Sequence, residues 1–495
     1  MRRLTAILAF ALAAFLGNAH AAPRSDVVIG MSIEPAGLDP TVAAPVSIGQ
    51  VVWQNLFQGL VRIAEDGSVR PQLASDWTIS PDGLTYRFTL RQGVTFHNGA
   101  AFSSATARFA LERARGADSA NPQKRFFETI ERIETPDAAT LVLHLTRPTG
   151  NLLYWLGWPA AVMVEEGSAA TNRTQPVGTG PFRFGGWTAG DSVRLVRFDG
   201  YWDAASRPAL DSATFRFIND AQAQMAALQS GQVDAFPEFA APELFGRLEG
   251  DAGFTTVVGN TELKVVAGIN ARRAPFNDPR VRRALMMAVD RHALVAGAWS
   301  GYGTPIGSHY TPNDPGFVDL TGTIPYDPAG ARALLAQAGL ADGFEATIKT
   351  PQMPYATRSA EILQAFLAEI GVRLTIEPTE FPAAWVDQVF TRHDFDLTIV
   401  AHAEPMDIDI YARPNYYFGY ADANFDSLIE QAETATDPQA RAAFYAEAQR
   451  KLAGDVPALF LFVMPKLGVW RAGLDGFWHD EPIPSNDLTN VRWVE

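Results

Sequence analysis

Cysteine is absent from this 495-residue chain. No disulfide can form, so an apolar core must carry the stability, and there is no Cys to take a lipid tether. No apolar run reaches the roughly 18 residues that a membrane-spanning helix needs. The eight histidines are scattered, and none falls in H-E-x-x-H or another metal-binding spacing. The nucleophile elbow G-x-S-x-G of the Ser hydrolases is missing. Basic residues are few: 40 Lys and Arg against 55 Asp and Glu leave a formal charge of −15. Such a surface repels phosphate backbones and argues against nucleic acid as a partner. Internal repeats and low-complexity tracts are lacking too.

What is present reads as a large globular protein. Hydrophobic residues make up 47% and charged residues 19%, as in folded rather than disordered chains. The length suggests two or three domains. At the N-terminus, Arg2 and Arg3 precede an apolar stretch from Leu4 to Leu16 and an A-x-A site at Ala19-His20-Ala21. This is the pattern of a cleaved secretory signal peptide over residues 1–21. Cleavage would take the charge from −15 to −17. Export without a lipid tether points to a confined compartment, the periplasm of a Gram-negative cell.

Strands and helices interleave along the chain. Val27–Ser32 reads as an opening strand. Leu84, Tyr86, Phe88 and Leu90 alternate with polar residues, as do Leu141, Leu143 and Leu145, and Phe215 with Phe217. With a helix near Ser104–Arg115, the first two strands form a small α+β lobe. Later, three helices open on Asp-Pro, at Asp278, Asp327 and Asp437, where Asp caps free N–H groups and Pro fits the first turn. The second should end at Gly339 and the third at Gly454. A helix over Arg358–Ile370, a strand over Val372–Ile376, a helix from Pro382 to about Thr391 and a strand over Asp396–Ala401 make an α/β layer with crossover helices. Ala458–Val463 is a buried strand.

Several short motifs occur in a telling order: Pro71-Gln-Leu-Ala-Ser-Asp-Trp77, Pro81-Asp-Gly-Leu-Thr-Tyr86, Val94-Thr-Phe-His-Asn-Gly99, Val177-Gly-Thr-Gly-Pro-Phe182, Tyr201-Trp202, Pro275-Phe276-Asn277-Asp278-Pro279-Arg280 and Ala288-Val289-Asp290-Arg291. Together they resemble the solute-binding proteins of peptide and nickel ABC transporters. The resemblance implies an α/β fold of the two-lobed periplasmic binding protein type (type II) with an extra small α+β lobe. Lobe one would take 22–50, 178–270 and 467–495, the small lobe 51–177 and lobe two 271–466.

The same resemblance suggests a ligand site. The stretch His402-Ala-Glu404-Pro-Met-Asp407-Ile-Asp409-Ile-Tyr411 follows a strand end, where ligands of open α/β sheets sit. In the dipeptide-binding branch an Asp of this loop receives the ligand's ammonium group, which makes Asp407 the first candidate and Asp409 the second. A solvated loop or a turn cap is the competing reading. The departure from that branch is Ala401-His402 where a Trp is usual, and Asp-Ile-Asp where Asp-Pro-Asp is usual. Arg358, at what reads as a helix start, is the candidate for a ligand carboxylate; a surface Arg is the alternative. Gly178, Thr179 and Gly180 form a loop that either touches ligand or simply turns the chain. Trp385 and Tyr411 are candidate cleft aromatics, with core packing as the alternative.

These observations together imply a soluble monomer that captures a short peptide or amino-acid-derived solute, closes around it and delivers it to ABC permease subunits. No cofactor, metal or nucleotide is implied. A secreted hydrolase, a carrier of a nickel–organic chelate and a signalling receptor of the same build are the alternatives.

Overall fold

The computed structural model describes residues 24–494; the expected signal peptide lies outside them. No helix of the described residues is long and apolar enough to cross a membrane.

Most strands belong to one eleven-stranded sheet. In its first half, Asp26–Met31 runs parallel to Ser212–Phe217, which is followed outward by Ser192–Arg197 and then Phe182–Thr188 in antiparallel pairing. In its second half, Leu397–His402 and Val372–Thr379 flank Phe344–Pro351, all parallel. Two long antiparallel strands, Phe254–Ile269 and Ala458–Arg471, run between the halves. Their register shifts between Asn260 and Lys264, so residues 261–263 fall outside the regular ladder. Such an irregularity bends a strand and re-aims its side chains.

The long strands explain why only Ala458–Val463 is legible as a strand in the sequence. That part is fully buried and continuously apolar, whereas its continuation to Arg471 carries Lys466 and Gly468. The small lobe is a separate four-stranded antiparallel sheet, with Thr85–Leu90 and Thr140–Leu145 at its centre. The helix Ser104–Arg115 packs on it through Ala107 and Leu111, against Phe88, Leu141 and Leu143.

The three Asp-Pro helices form as their caps dictate. The side chains of Asp278, Asp327 and Asp437 accept hydrogen bonds from Arg280, Gly330 and Ala440 amides. Gly339 adopts the left-handed conformation expected of it. Several boundaries differ from the sequence reading; the strand expected over Val372–Ile376 runs on to Thr379, and three helix boundaries move. The last of the three helices continues through Gly454 to Asp455 and is closed by Val456 at φ +52°, because burial of Leu452 and Val456 outweighs glycine's preference for ending a helix. The helix expected from Arg358 starts a turn earlier, at Pro354, since Pro suits the first helical position. The helix expected from Pro382 is a short turn, Ala383–Trp385, that widens into a π-helical segment, Val386–Thr391.

Candidate functional site

A cavity of about 770 Å³ opens where the two halves of the sheet meet. The first half contributes Ile33, Gln50, Glu238 and Phe239, together with Glu481 of the C-terminal tail. The second half contributes Trp299, Met353 and Tyr355, and the out-of-register residues Thr261, Glu262 and Leu263 complete the wall. Local structure fixes these groups. Gln50 lies on the buried helix Val46–Val52. Glu238 lies two residues beyond the strand Ala235–Phe236, after Pro237. Trp299 ends the helix Arg291–Trp299, and Tyr355 begins Pro354–Glu369, its hydroxyl accepting from the Ala401 amide at 3.1 Å.

The cavity wall is mostly apolar, with a few hydroxyls and amides, such as Thr261, Gln50 and Asn219, and three acids. Glu481 and Glu238 both line the cavity, and each acts on the other's ionisation. Burial, then the neighbouring Glu238, pushes the Glu481 carboxyl well above its ordinary range. Burial also raises Glu238, against the pull of Lys466. Glu262 is raised as well, first by burial and then by Asp314. Carboxyls shifted this way favour the protonated form.

Next to the cavity lies a fully buried ionic cluster. Lys264 Nζ is 3.1 Å from Asp407 Oδ1 and donates to the backbone carbonyls of Glu404 at 2.7 Å and Glu262 at 3.2 Å. His309 Nε2 is 3.1 Å from the same Asp407 oxygen, and His402 Nδ1 is 3.5 Å from the other. Burial would raise the Asp407 carboxyl, but Lys264 and then His309 hold it well below the usual carboxylate range. Burial would lower Lys264, yet Asp407 and Asp314 raise it. Burial also brings His309 down to about 4, so its ring is neutral at pH 7. His309, His402 and Asp407 are close enough to share a metal ion; here the Lys264 ammonium already supplies the positive charge.

None of the eight residues singled out from the sequence lines the 770 Å³ cavity. Asp407 is 2% exposed and its charge is taken by Lys264. Asp409 pairs with Arg125 at 2.7 Å and Arg413 at 2.9 Å, beside a separate small cavity near Trp155 and Glu433. Arg358 lies in the second turn of its helix, not the first, and reaches Glu243 of the first half at 3.5 Å. It lines a shallower groove that shares Gln352, Met353 and Pro354 with the main cavity. Trp385 is buried and donates to Thr398 Oγ1 at 2.8 Å. Tyr411 is buried too, stacked on Phe418 with ring centres 4.4 Å apart, its hydroxyl 3.2 Å from His309 Nδ1. Gly178, Thr179 and Gly180 turn the chain against residues 55–58: Gly180 N–H donates to Leu56 O, and Thr179 Oγ1 donates to Gln58 Oε1. A Cβ on Gly178 would lie 1.9 Å from Leu56 O, so only glycine fits there.

Residues 68–425 match the model of the bacterial extracellular solute-binding proteins, family 5. The chain belongs to that family. It is 31% identical to the glutathione-binding protein GsiB of Salmonella typhimurium, over 95% of both chains. Among solved structures, it is similar to the A. tumefaciens R10 protein AgaA in complex with agropinic acid (25% identity, TM-score 0.79, 95% of this chain and 99% of that one). It is also similar in fold to the periplasmic binding protein DppA of Helicobacter pylori in complex with the peptide STSA (23% identity, TM-score 0.80, 96% and 99%). The fold is thus the two-lobed α/β one that the motifs imply, and the chain has the role of the family, the substrate-binding component of an importer.

Sequence reasoning missed Gln50, Glu238, Glu481, Trp299 and Tyr355. Two signals were available. Lys264 is the lone charge in Leu263-Lys-Val-Val-Ala-Gly-Ile269, which marks a buried ion needing a partner. Glu238 lies between Pro237 and Phe239, two residues after an apolar strand, at a strand end of the kind that lines ligand crevices. Nothing local distinguishes Glu481, which the tail brings in from far along the chain.

Proposed function

We propose that this family 5 protein captures a short peptide or amino-acid-derived solute in the periplasm and hands it to membrane permease subunits, acting as a monomer and leaving the solute chemically unchanged. The lobes would follow the sequence boundaries: 22–50 with 178–270 and 467–495, then 271–466, with the small lobe at 51–177. The observation that carries this reading is the 770 Å³ cavity between the sheet halves. Its volume suits a drug-sized or tripeptide-sized molecule, and its mostly apolar wall with a few placed polar groups is what small-molecule sites have. The 31% identical GsiB relative is named for glutathione, itself a tripeptide. Solute touching both halves would favour the closed arrangement over the open one, and the Arg358–Glu243 contact between the halves adds to it.

The test pairs calorimetry with small-angle scattering on the mature protein, against dipeptides, tripeptides including glutathione, amino acids and nickel chelates. One-to-one binding of at least one peptide or amino-acid derivative with a smaller radius of gyration is expected. Unchanged scattering across the whole set, or hydrolysis of any member, overturns the reading.

A further inference from the structure

Three carboxyls line the cleft and none forms an ion pair among the described residues; Glu262 accepts from Thr311 Oγ1 at 3.1 Å, which leaves Glu238 and Glu481. Glu481 is 7% exposed, lines the cavity and forms no ion pair among the described residues. Glu238 Oε2 accepts from the Gln50 side-chain amide, while no donor reaches its buried Oε1. The groups acting on the pair are few. Gln50 comes from the helix Val46–Val52 and Lys466 from the strand Ala458–Arg471; Lys466 attracts both carboxyls without forming an ion pair. Ionising both acids therefore leaves one negative charge in excess of Lys466. A buried charge without a partner is costly, so one of the two carboxyls keeps its proton before a solute enters. Most of the rest of the wall is apolar, with Ile33, Val46, Phe239, Trp299, Met353 and Met464.

We propose that the cleft selects solutes carrying one cationic nitrogen, an ammonium or a guanidinium, on an apolar body, with Glu238 and Glu481 as the receiving pair. This rests on the solute-binding reading above and names the class of solute. As the cation enters, the proton held by the pair leaves to solvent, so the total charge of the pair and its occupant stays the same. Solute binding then releases a proton, and affinity for a cation falls as the pH drops.

The probes are leucyl-phenylalanine amide, with one ammonium and no carboxylate, and its N-acetyl counterpart, which lacks the charge. Calorimetry at pH 7 in two buffers of different ionisation enthalpy reads affinity and proton release together. At least tenfold preference for the free amine is expected, with up to one proton released. Glu481→Gln and Glu238→Gln should each abolish that preference and the release. Thermal melting checks that each variant is folded, and the parent's own pH dependence tests the idea should either variant fail to fold. Equal binding of the two probes, failure of both to bind, or an unchanged preference in the variants overturns the proposal. Closure on neutral or anionic solutes while amines are rejected would overturn it and leave the solute-binding reading standing; no closure with any compound would end both.

Discussion

Lys264→Met is expected to destabilise the protein by about 3–5 kcal/mol, the cost of stranding a buried charge. The Met side chain keeps much of the apolar stem of Lys264 but removes the ammonium 3.1 Å from Asp407 Oδ1. Asp407, 2% exposed, would then face only His309 and His402. In the parent His309 is neutral at pH 7, because burial brings it down to about 4, so Lys264 is the charge that Asp407 has. Adding Asp407→Asn to Lys264→Met removes the orphaned charge and should recover most of the loss. Urea denaturation of the two single variants and the double gives the coupling directly. A Lys264→Met loss under about 1 kcal/mol, or a double variant no better than the single, would contradict this. From the motifs alone, Asp407→Asn looks like a binding-site change that leaves the fold intact. With Lys264 buried against it, it is expected to be a folding change.

The second large effect depends on pH. His97 is clamped by the turn at 178–180: Gly178 N–H donates to Nδ1 at 3.2 Å, and Nε2 lies 3.0 Å from Gly180 O. That arrangement needs a neutral ring with its proton on Nε2. Burial brings the ring down to about 4 from an ordinary 6.5. The folded-state value is depressed, so between those limits the unfolded chain binds a proton that the folded one does not. Stability from this group is complete above about pH 6.5 and declines as the pH falls toward 4. The shift is worth at most about 3 kcal/mol, since the ring keeps some contact with solvent. His97→Asn removes the titration. The stability difference between parent and variant should be level above about pH 7 and shrink by at most about 3 kcal/mol on going to pH 4. Other titrating groups, including Glu238 and Glu481, largely cancel in that difference. Denaturation curves collected across the range decide it, and a difference that does not vary with pH would show that His97 is not the group responsible.

The fold was legible where local chemistry and tertiary packing agree. The Asp-Pro starts at 278, 327 and 437 are capped as their residue types require. The alternation from Leu84 to Leu90 matches the buried face of Thr85–Leu90. The family motifs led to the correct architecture because turns such as Gly178-Thr-Gly180 are tied to a particular packing against residues 55–58. The cleft was illegible for the complementary reason. Its walls join Gln50, Glu238, Trp299, Tyr355 and Glu481, five residues from distant parts of the chain with no shared spacing. The loop from His402 to Tyr411 does lie beyond a strand end, and Ala403 does reach the cavity. Its acids turn elsewhere, Asp407 to Lys264 and Asp409 to Arg125 and Arg413. Whether an acid meets solvent or an internal partner is decided by which basic residue the fold brings beside it, and Lys264 is more than a hundred residues away in sequence.

The missing rungs at 261–263 have a mechanical consequence. A plate that spans two bodies flexes first at a seam where its backbone cross-links are interrupted; here a side-chain bond, Thr261 Oγ1 to Met464 O at 2.8 Å, bridges the gap. The seam also faces the cavity through Thr261, Glu262 and Leu263, so an occupant presses on the part of the plate that yields most easily. Backbone amide exchange should therefore be faster at the seam than in the flanking stretches of the same two strands, and it should slow when the cavity is filled.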